Sequence, residues 1–328
     1  MTLQSYPSRR LGPLQFDFIQ RLEGQGKSIN TVKNYRTDLD CYADYLTKFQ
    51  KSDDLSKVDL PHILEYGKFL QQKYTSDNSR RRRVQTLRLF FDFLLERQIV
   101  DHNPVRKIAP SPKFVDMPRP LSLSELATAW EHFLSETQVH KGHQLNHLLA
   151  HRNSIIFQLI LFGGLKVSHL ANLVQKDLSL KKGCRVLISP LKRDPFTINL
   201  PEFIERNLHE YLRLLQEYQD DHFFHFDQLF FNANPYRILS GGLSERGIEI
   251  FFKEYAKKSG LEMTPKRLRE SAIVLWHHEK VPAPTIKEYM DVSPSYSLKR
   301  YKTVAEDFVY DLNAFIGIQR KYNDYQAH

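Results

Sequence analysis

Residues 264–304 read TPKRLRESAIVLWHHEKVPAPTIKEYMDVSPSYSLKRYKTV, and the placing of charge and turn residues in this stretch decides how the second half of the chain is read. Thr264 followed by Pro265 is a helix start, with the hydroxyl able to cap the first turn and the proline tolerated inside it. Lys266 and Arg269 are three apart and share one face of that helix. His277 and His278 invite a metal reading, but neighbours on a helix point in different directions and no ligand set accompanies them, so they are read as surface histidines. At the far end Lys299, Arg300 and Lys302 surround Tyr301. In a chain with 16 tyrosines one tyrosine carries little by itself; its weight comes from its distance to Arg269.

Working outward, the apolar run Ile155, Ile156, Leu159 and Ile160 marks a buried helix that stops at Gly163-Gly164. Arg185–Ile188 and Phe196–Leu200 are β-rich runs around the polar turn Lys192-Arg193-Asp194-Pro195, which predicts a hairpin. Leu121 to Leu134 has helical spacing. Before it, residues 110–120 hold four prolines and no glycine, the composition of a semi-rigid linker. The first third is helical: Val32, Tyr35, Leu39, Tyr42, Ala43 and Leu46 form one apolar face, a second helix runs around Ile63 to Tyr74, and a third starts at Ser79 and turns Val84, Leu87, Phe90, Phe91, Leu94 and Leu95 inward. Asn103-Pro104 closes that set. Phe308, Leu312, Phe315 and Ile316 make an amphipathic tail that must dock on something. The resulting division is residues 1–109, a linker at 110–120, residues 121–304, and a tail at 305–328.

A chain of 328 residues with 41% apolar content can supply a core to each of two domains. The formal charge of +9 favours polyanionic partners, nucleic acid first, although a well-solvated basic enzyme has the same balance. Charge placement decides between them. Arg80-Arg81-Arg82-Arg83, with Arg88 beyond, crowds the start of a helix, where the helix dipole gives cations no advantage. Phosphate contact would use that crowding, and Lys33 and Arg36 extend the patch. Two cysteines, Cys41 and Cys184, give neither a disulfide framework nor a metal spacing. No apolar run has membrane-spanning length. A cytoplasmic, nucleoid-associated protein is expected, without metal, cofactor, membrane or small-molecule substrate.

These residues resemble a family, the tyrosine recombinases and phage integrases, in particular its Xer-like two-domain members. The resemblance spans nearly the whole chain. It rests on Gly26–Tyr35, Leu87–Leu94 and Asn103-Pro104 in the first domain. In the second it rests on Gly164-Leu165-Lys166-Val167-Ser168-His169-Leu170, on Thr264–Arg269 and on the ungapped run to Tyr301. It implies a mainly α fold with a small β-hairpin or sheet, in which a helical core-binding domain and a recombinase-like catalytic domain form a C-shaped clamp on double-stranded DNA. It also implies assembly on DNA, with copies of itself or with a related recombinase, through the C-terminal tail. In the family a tyrosine attacks a phosphodiester, cationic groups hold the phosphate, and the freed hydroxyl later reverses the step.

Carried over by position, Tyr301 is the nucleophile, Arg269 a phosphate clamp and Lys192 the acid to the leaving oxygen. Lys166 stands where the family has arginine, His169 where it has an acidic residue, Lys266 where it has histidine and Val292 at a later histidine. Arg193, Arg267, Lys299 and Arg300 join Lys33, Arg36, Arg80, Arg81, Arg82, Arg83 and Arg88 as expected DNA contacts. A lysine keeps attraction but loses the planar two-pronged grip of arginine. The sequence therefore points to DNA binding with impaired catalysis, an accessory or structural role. The alternative is an active site-specific recombinase in which lysines replace the usual arginine and histidine. An RNA-binding module is weaker, since no RNP-like aromatic signature is present.

Overall fold

The computed structural model describes residues 9–49, 51–108, 117–140, 142–181, 183–190, 193–223, 225–233 and 239–324. They fall into two compact units, Met1–Asp116 and Met117–His328.

The first unit is built from α1 (Leu11–Gly24), α2 (Ile29–Lys48), α3 (Leu60–Lys73) and α4 (Asp77–Glu96). Side-chain caps set three of the starts: Ser28 accepts from the Thr31 amide, Asp59 from His62 and Ser76 from Ser79. The apolar faces meet in an aromatic core. Phe18 of α1 packs edge-on against Phe90 of α4 with centroids 5.4 Å apart, and Tyr42 and Tyr66 do the same at 5.0 Å. Asn103 locks the end of the unit. Its amide donates to Arg88 O (2.9 Å) and Asp92 Oδ1 (2.7 Å), and its Oδ1 accepts from the Val105 amide (2.9 Å).

The second unit contains α5 (Leu123–Val139), α6 (Gln144–Leu161), α7 (Val167–Asn172), β1 (Leu178–Ser179), β2 (Arg185–Ile188), β3 (Phe196–Asn199), α8 (Glu205–Asp221), β4 (Phe231–Ala233), β5 (Leu239–Gly241), α9 (Glu245–Ser259), α10 (Pro265–His278), α11 (Ala283–Tyr289), α12 (Lys299–Asp307) and α13 (Leu312–Asp324). From Ile155 to Leu161 helix α6 is buried on every side, and the helix packs against α5, α8 and α10, which explains the near-continuous apolar run there. The expected hairpin is there, with Arg185 opposite Asn199 and Ile188 opposite Phe196, and β1 adds a third antiparallel strand. Val186, Ile188, Phe196 and Ile198 turn one face of this sheet into the core. The fold is mainly α with small antiparallel sheets.

Most of the predicted linker, 110–116, lies outside the described residues, whereas residues 119–121 are fastened to α10. Arg119 N donates to Glu270 (2.7 Å), Leu121 N to Ser271 Oγ (2.8 Å), and Arg267 Nε to Arg119 O (3.0 Å). One expectation is corrected, and the tail's apolar face is accounted for within the chain. In this single chain α13 packs on α5 of its own unit. Phe315 is fully buried against Phe162 (5.6 Å), and Gln319 bonds Asn207, so the apolar face that demanded a partner finds one in the same chain. His277 and His278 are not surface groups: both are partly buried, and His278 bonds the carbonyl of Phe308. No described helix is long and apolar enough to cross a membrane.

Candidate functional site

The candidate pocket is assembled where the ends of α6, α10 and α11 meet. Gly164 follows α6 in the left-handed conformation (φ 60°), and a Cβ there would come within 2.3 Å of Trp276. Only glycine suits both the backbone and the indole. The turn aims the Gly164 carbonyl at α10, where it accepts from Arg269 Nε at 2.7 Å, while the Met290 carbonyl accepts from Arg269 Nη2 at 2.6 Å. Arg269 is thus held by two helix-end carbonyls. Burial lowers its pKa, and Tyr301, Asp291, Tyr296 and Glu270, all close enough to act on its charge, oppose that shift.

The centre of the pocket is a residue that sequence reasoning missed. Asp291, at the end of α11 with φ 50°, accepts from Lys166 Nζ at 2.6 Å through its carboxylate and at 3.2 Å through its carbonyl. His169 Nε2 lies 3.5 Å and Arg193 Nε 3.4 Å from the same carboxylate. Burial raises the Asp291 pKa, but Lys166, His169 and Arg193 outweigh it and leave a net lowering. His169 is pushed down to about 4, first by burial and then by Lys166 and Arg269, so it is neutral near pH 7. Its Nδ1 faces the Lys166 amide at 3.4 Å, which puts the proton on Nε2, toward Asp291. The contact is therefore between a neutral imidazole and a carboxylate. The only sequence signal for Asp291 was its place beside Val292.

Tyr301 lies on the first turn of α12 and is 5% exposed. Burial and Tyr296 push its phenol up to about 12, and the Arg300 guanidinium, 5.1 Å above its ring, pulls the other way. Arg300 also bonds the Tyr296 hydroxyl. Tyr296, unnoticed in the sequence, is thus a second phenol in the group.

The other expected pocket residues divide. Lys192 lies outside the described residues. Lys266 points to solvent, 70% exposed and 3.9 Å from Glu270, although it shares a helix with Arg269. Arg267 is occupied by the Arg119 carbonyl and that of Glu262. Lys299 is exposed.

The basic run in the first unit divides in the same way. Arg83 and Arg88 are buried, against the expectation of a phosphate-facing series. Arg83 lies 3.7 Å over the Tyr74 ring and bonds Ser79 O, and Arg88 donates to Ile108 O at 2.9 Å; four successive cations cannot all leave one helix on its wet side. Arg80 is held by Tyr74 O and Asp77. Arg82 reaches Asp38 at 2.8 Å, and Arg81 lines the adjoining surface. These two arginines, with Thr31, Asn34, Asn78 and Gln85, border an open cleft of about 700 Å³ between α2 and α4. Lys33 is exposed on α2, and Arg36 pairs loosely with Glu23 at 3.9 Å. Asp38, at the floor, is raised by burial against the lowering from Thr86, Arg82 and Arg83.

Residues 17–98 match the family described as phage integrase, N-terminal SAM-like domain. The chain is 26% identical to tyrosine recombinase XerD of Listeria monocytogenes serovar 1/2a over 268 residues, 79% of this chain and 81% of that one. It is 28% identical to tyrosine recombinase XerC of Roseiflexus sp. over 257 residues, 75% and 74% of the two chains. Among solved structures it is similar to the XerH site-specific recombinase bound to palindromic difH substrate, with TM-score 0.67 and 16% identity over 90% of this chain and 82% of that one. It is also similar to lambda integrase (residues 75–356) bound to DNA, with TM-score 0.62 and 15% identity over 88% and 93%. These two likenesses are of fold.

Proposed function

We propose that the chain is a member of the tyrosine recombinase family, as the match at residues 17–98 and the similarity to XerD and XerC support, and that it binds duplex DNA, associated with the nucleoid, and cleaves strands poorly or not at all. The observation that carries this reading is the state of the clamp. Lys166, in place of an arginine, is bonded to Asp291 at 2.6 Å, and its neighbour Val292 has no side-chain donor. Transition-state stabilisation requires donors already aimed at the developing charge, and losing one costs about a hundredfold or more in rate. Here one donor is spent on a carboxylate, one is absent, and Lys266 faces solvent. The phenol of Tyr301 also has to give up its proton with a pKa of about 12.

Binding needs less. Arg81 and Arg82 at an open cleft rimmed with Asn34, Asn78 and Gln85 suit phosphate contact beside hydrogen bonds to base edges. The similar XerH and lambda integrase structures are complexes with DNA, which supports the same partner here. Assembly of copies on DNA is supported by the lambda integrase dimer bound to a COC′ core site, a fold relative.

The test is covalent trapping on nicked duplexes that span a site recovered by DNA pull-down, with Tyr301→Phe as control. Salt-sensitive binding without an adduct is expected. An adduct that disappears in Tyr301→Phe would establish the active-recombinase reading instead. That reading draws support from Tyr301 and Arg269 standing in one pocket.

A further inference from the structure

We propose that Asp291 is the pocket's own counter-ion, a carboxylate that occupies the donors a DNA phosphodiester would take and so sets how tightly the pocket grips the backbone. This rests on the DNA-binding reading. Lys166 caps α7 and His169 lies within it, while Arg193 lies on the turn between β2 and β3; the three reach one carboxylate from two segments distant in sequence. Such convergence on a single anion is what a phosphate-holding pocket presents. A phosphodiester carries one negative charge and two free oxygens, the same charge and nearly the same acceptor geometry as a carboxylate. Ligand phosphate and Asp291 therefore compete for the same hydrogens.

Two features separate this from a chance surface pairing. The Asp291 side chain is only 14% exposed, so it is enclosed by its partners rather than solvated. Its φ of 50° is one that few residues other than glycine adopt, aspartate and asparagine being among the tolerated ones. The backbone there turns the carboxylate into the pocket from a conformation held by the turn, with Asp291 N bonded to Glu288 O and Val292 N to Lys287 O. Lys166 is then gripped at both the carboxylate and the carbonyl of one residue, which engages two of its three N–H groups, and a phosphate that recruits it competes with the first contact for its charge.

The experiment compares the full-length chain with Asp291→Asn and Asp291→Gly, both compatible with the left-handed backbone, by fluorescence anisotropy on its recovered duplex across a salt series. Each variant is expected to bind about tenfold more tightly at low salt, a size typical of one charge-assisted contact. Its log K against log salt should steepen by about one phosphate's worth of counterion release. Adding Lys166→Gln to Asp291→Asn should remove the gain. Tryptophan fluorescence verifies folding, and Asp291→Asn, the closest in shape, carries the test if the glycine variant unfolds. Affinity and slope equal to those of the unsubstituted chain would overturn the inference while leaving DNA binding intact. Weaker binding by folded variants would also overturn it, since Asp291 would then be positioning Lys166 for phosphate. Absence of binding by all three proteins would overturn the DNA-binding reading and the inference with it.

Discussion

Acid should destabilise the second unit through one histidine. His169 titrates near 6.5 when unfolded and is pushed to about 4 when folded. The folded state keeps it neutral while the unfolded state takes up a proton, so the unfolded chain binds more protons throughout that window and stability falls as pH falls. The contribution is whole above pH 6.5 and declines until pH 4. Between pH 7 and pH 5 the loss is about 2 kcal/mol, taken from the protonation of the unfolded imidazole at 1.36 kcal/mol per pH unit. The His169 side chain is 6% exposed, so solvent screening discounts this little. Asp291 acts in the same direction, but its lowered pKa places its window below the ordinary aspartate value of 3.8, outside this range. The assay is urea unfolding at pH 7 and pH 5 of the unsubstituted chain and of His169→Gln. Intrinsic tryptophan fluorescence isolates the relevant unit, because the chain's two tryptophans, Trp130 and Trp276, both belong to it. The unsubstituted chain should lose about 2 kcal/mol more than His169→Gln over that interval. Equal losses would refute the burial of a neutral imidazole beside Asp291.

Gly164→Ala should destabilise the second unit by about 3 kcal/mol, from left-handed strain together with collision with Trp276; the same urea titration measures it, and a change under about 1 kcal/mol would contradict the packing. In the first unit Arg88→Met, which keeps bulk but leaves the Ile108 carbonyl without its donor, should lower stability by about 2 kcal/mol in circular-dichroism melts. Arg81→Ala should weaken DNA binding, with the salt slope reduced by about 1. Phe315→Ala should release α13 at a cost of about 3 kcal/mol, visible as faster proteolysis between α12 and α13; unchanged resistance would mean the tail is held by other contacts.

How much of this was legible in the sequence depends on where the information sits. The helices of the first unit were readable from period and caps, because their faces are half wet and half dry. Helix α1 was not read from the sequence: its start at Arg10 has no side-chain cap. Strands β4 and β5, of three residues each, are too short to show alternation. In the pocket, Tyr301, Arg269 and Lys166 could be named from spacing within motifs. Asp291 could not, because its importance arises from Lys166 and Arg193, which are far away in sequence and meet it only after folding. Charge runs misled for a related reason. Arg80 to Arg83 look alike in one dimension, but helical geometry sends Arg83 inward to Tyr74 while Arg82 reaches toward the cleft.

The fastening of residues 119–121 has a mechanical meaning. Glu270 and Ser271 grip the amides of Arg119 and Leu121, and the helix that carries these two grips also carries Arg269. The Leu121 carbonyl is also held, by the Tyr310 hydroxyl, so the entry of the chain into the second unit is tied both to α10 and to the segment after α12. Arg269 stands next to Glu270 in sequence, and the pocket's arginine therefore shares a helical turn with the anchor of this entry segment.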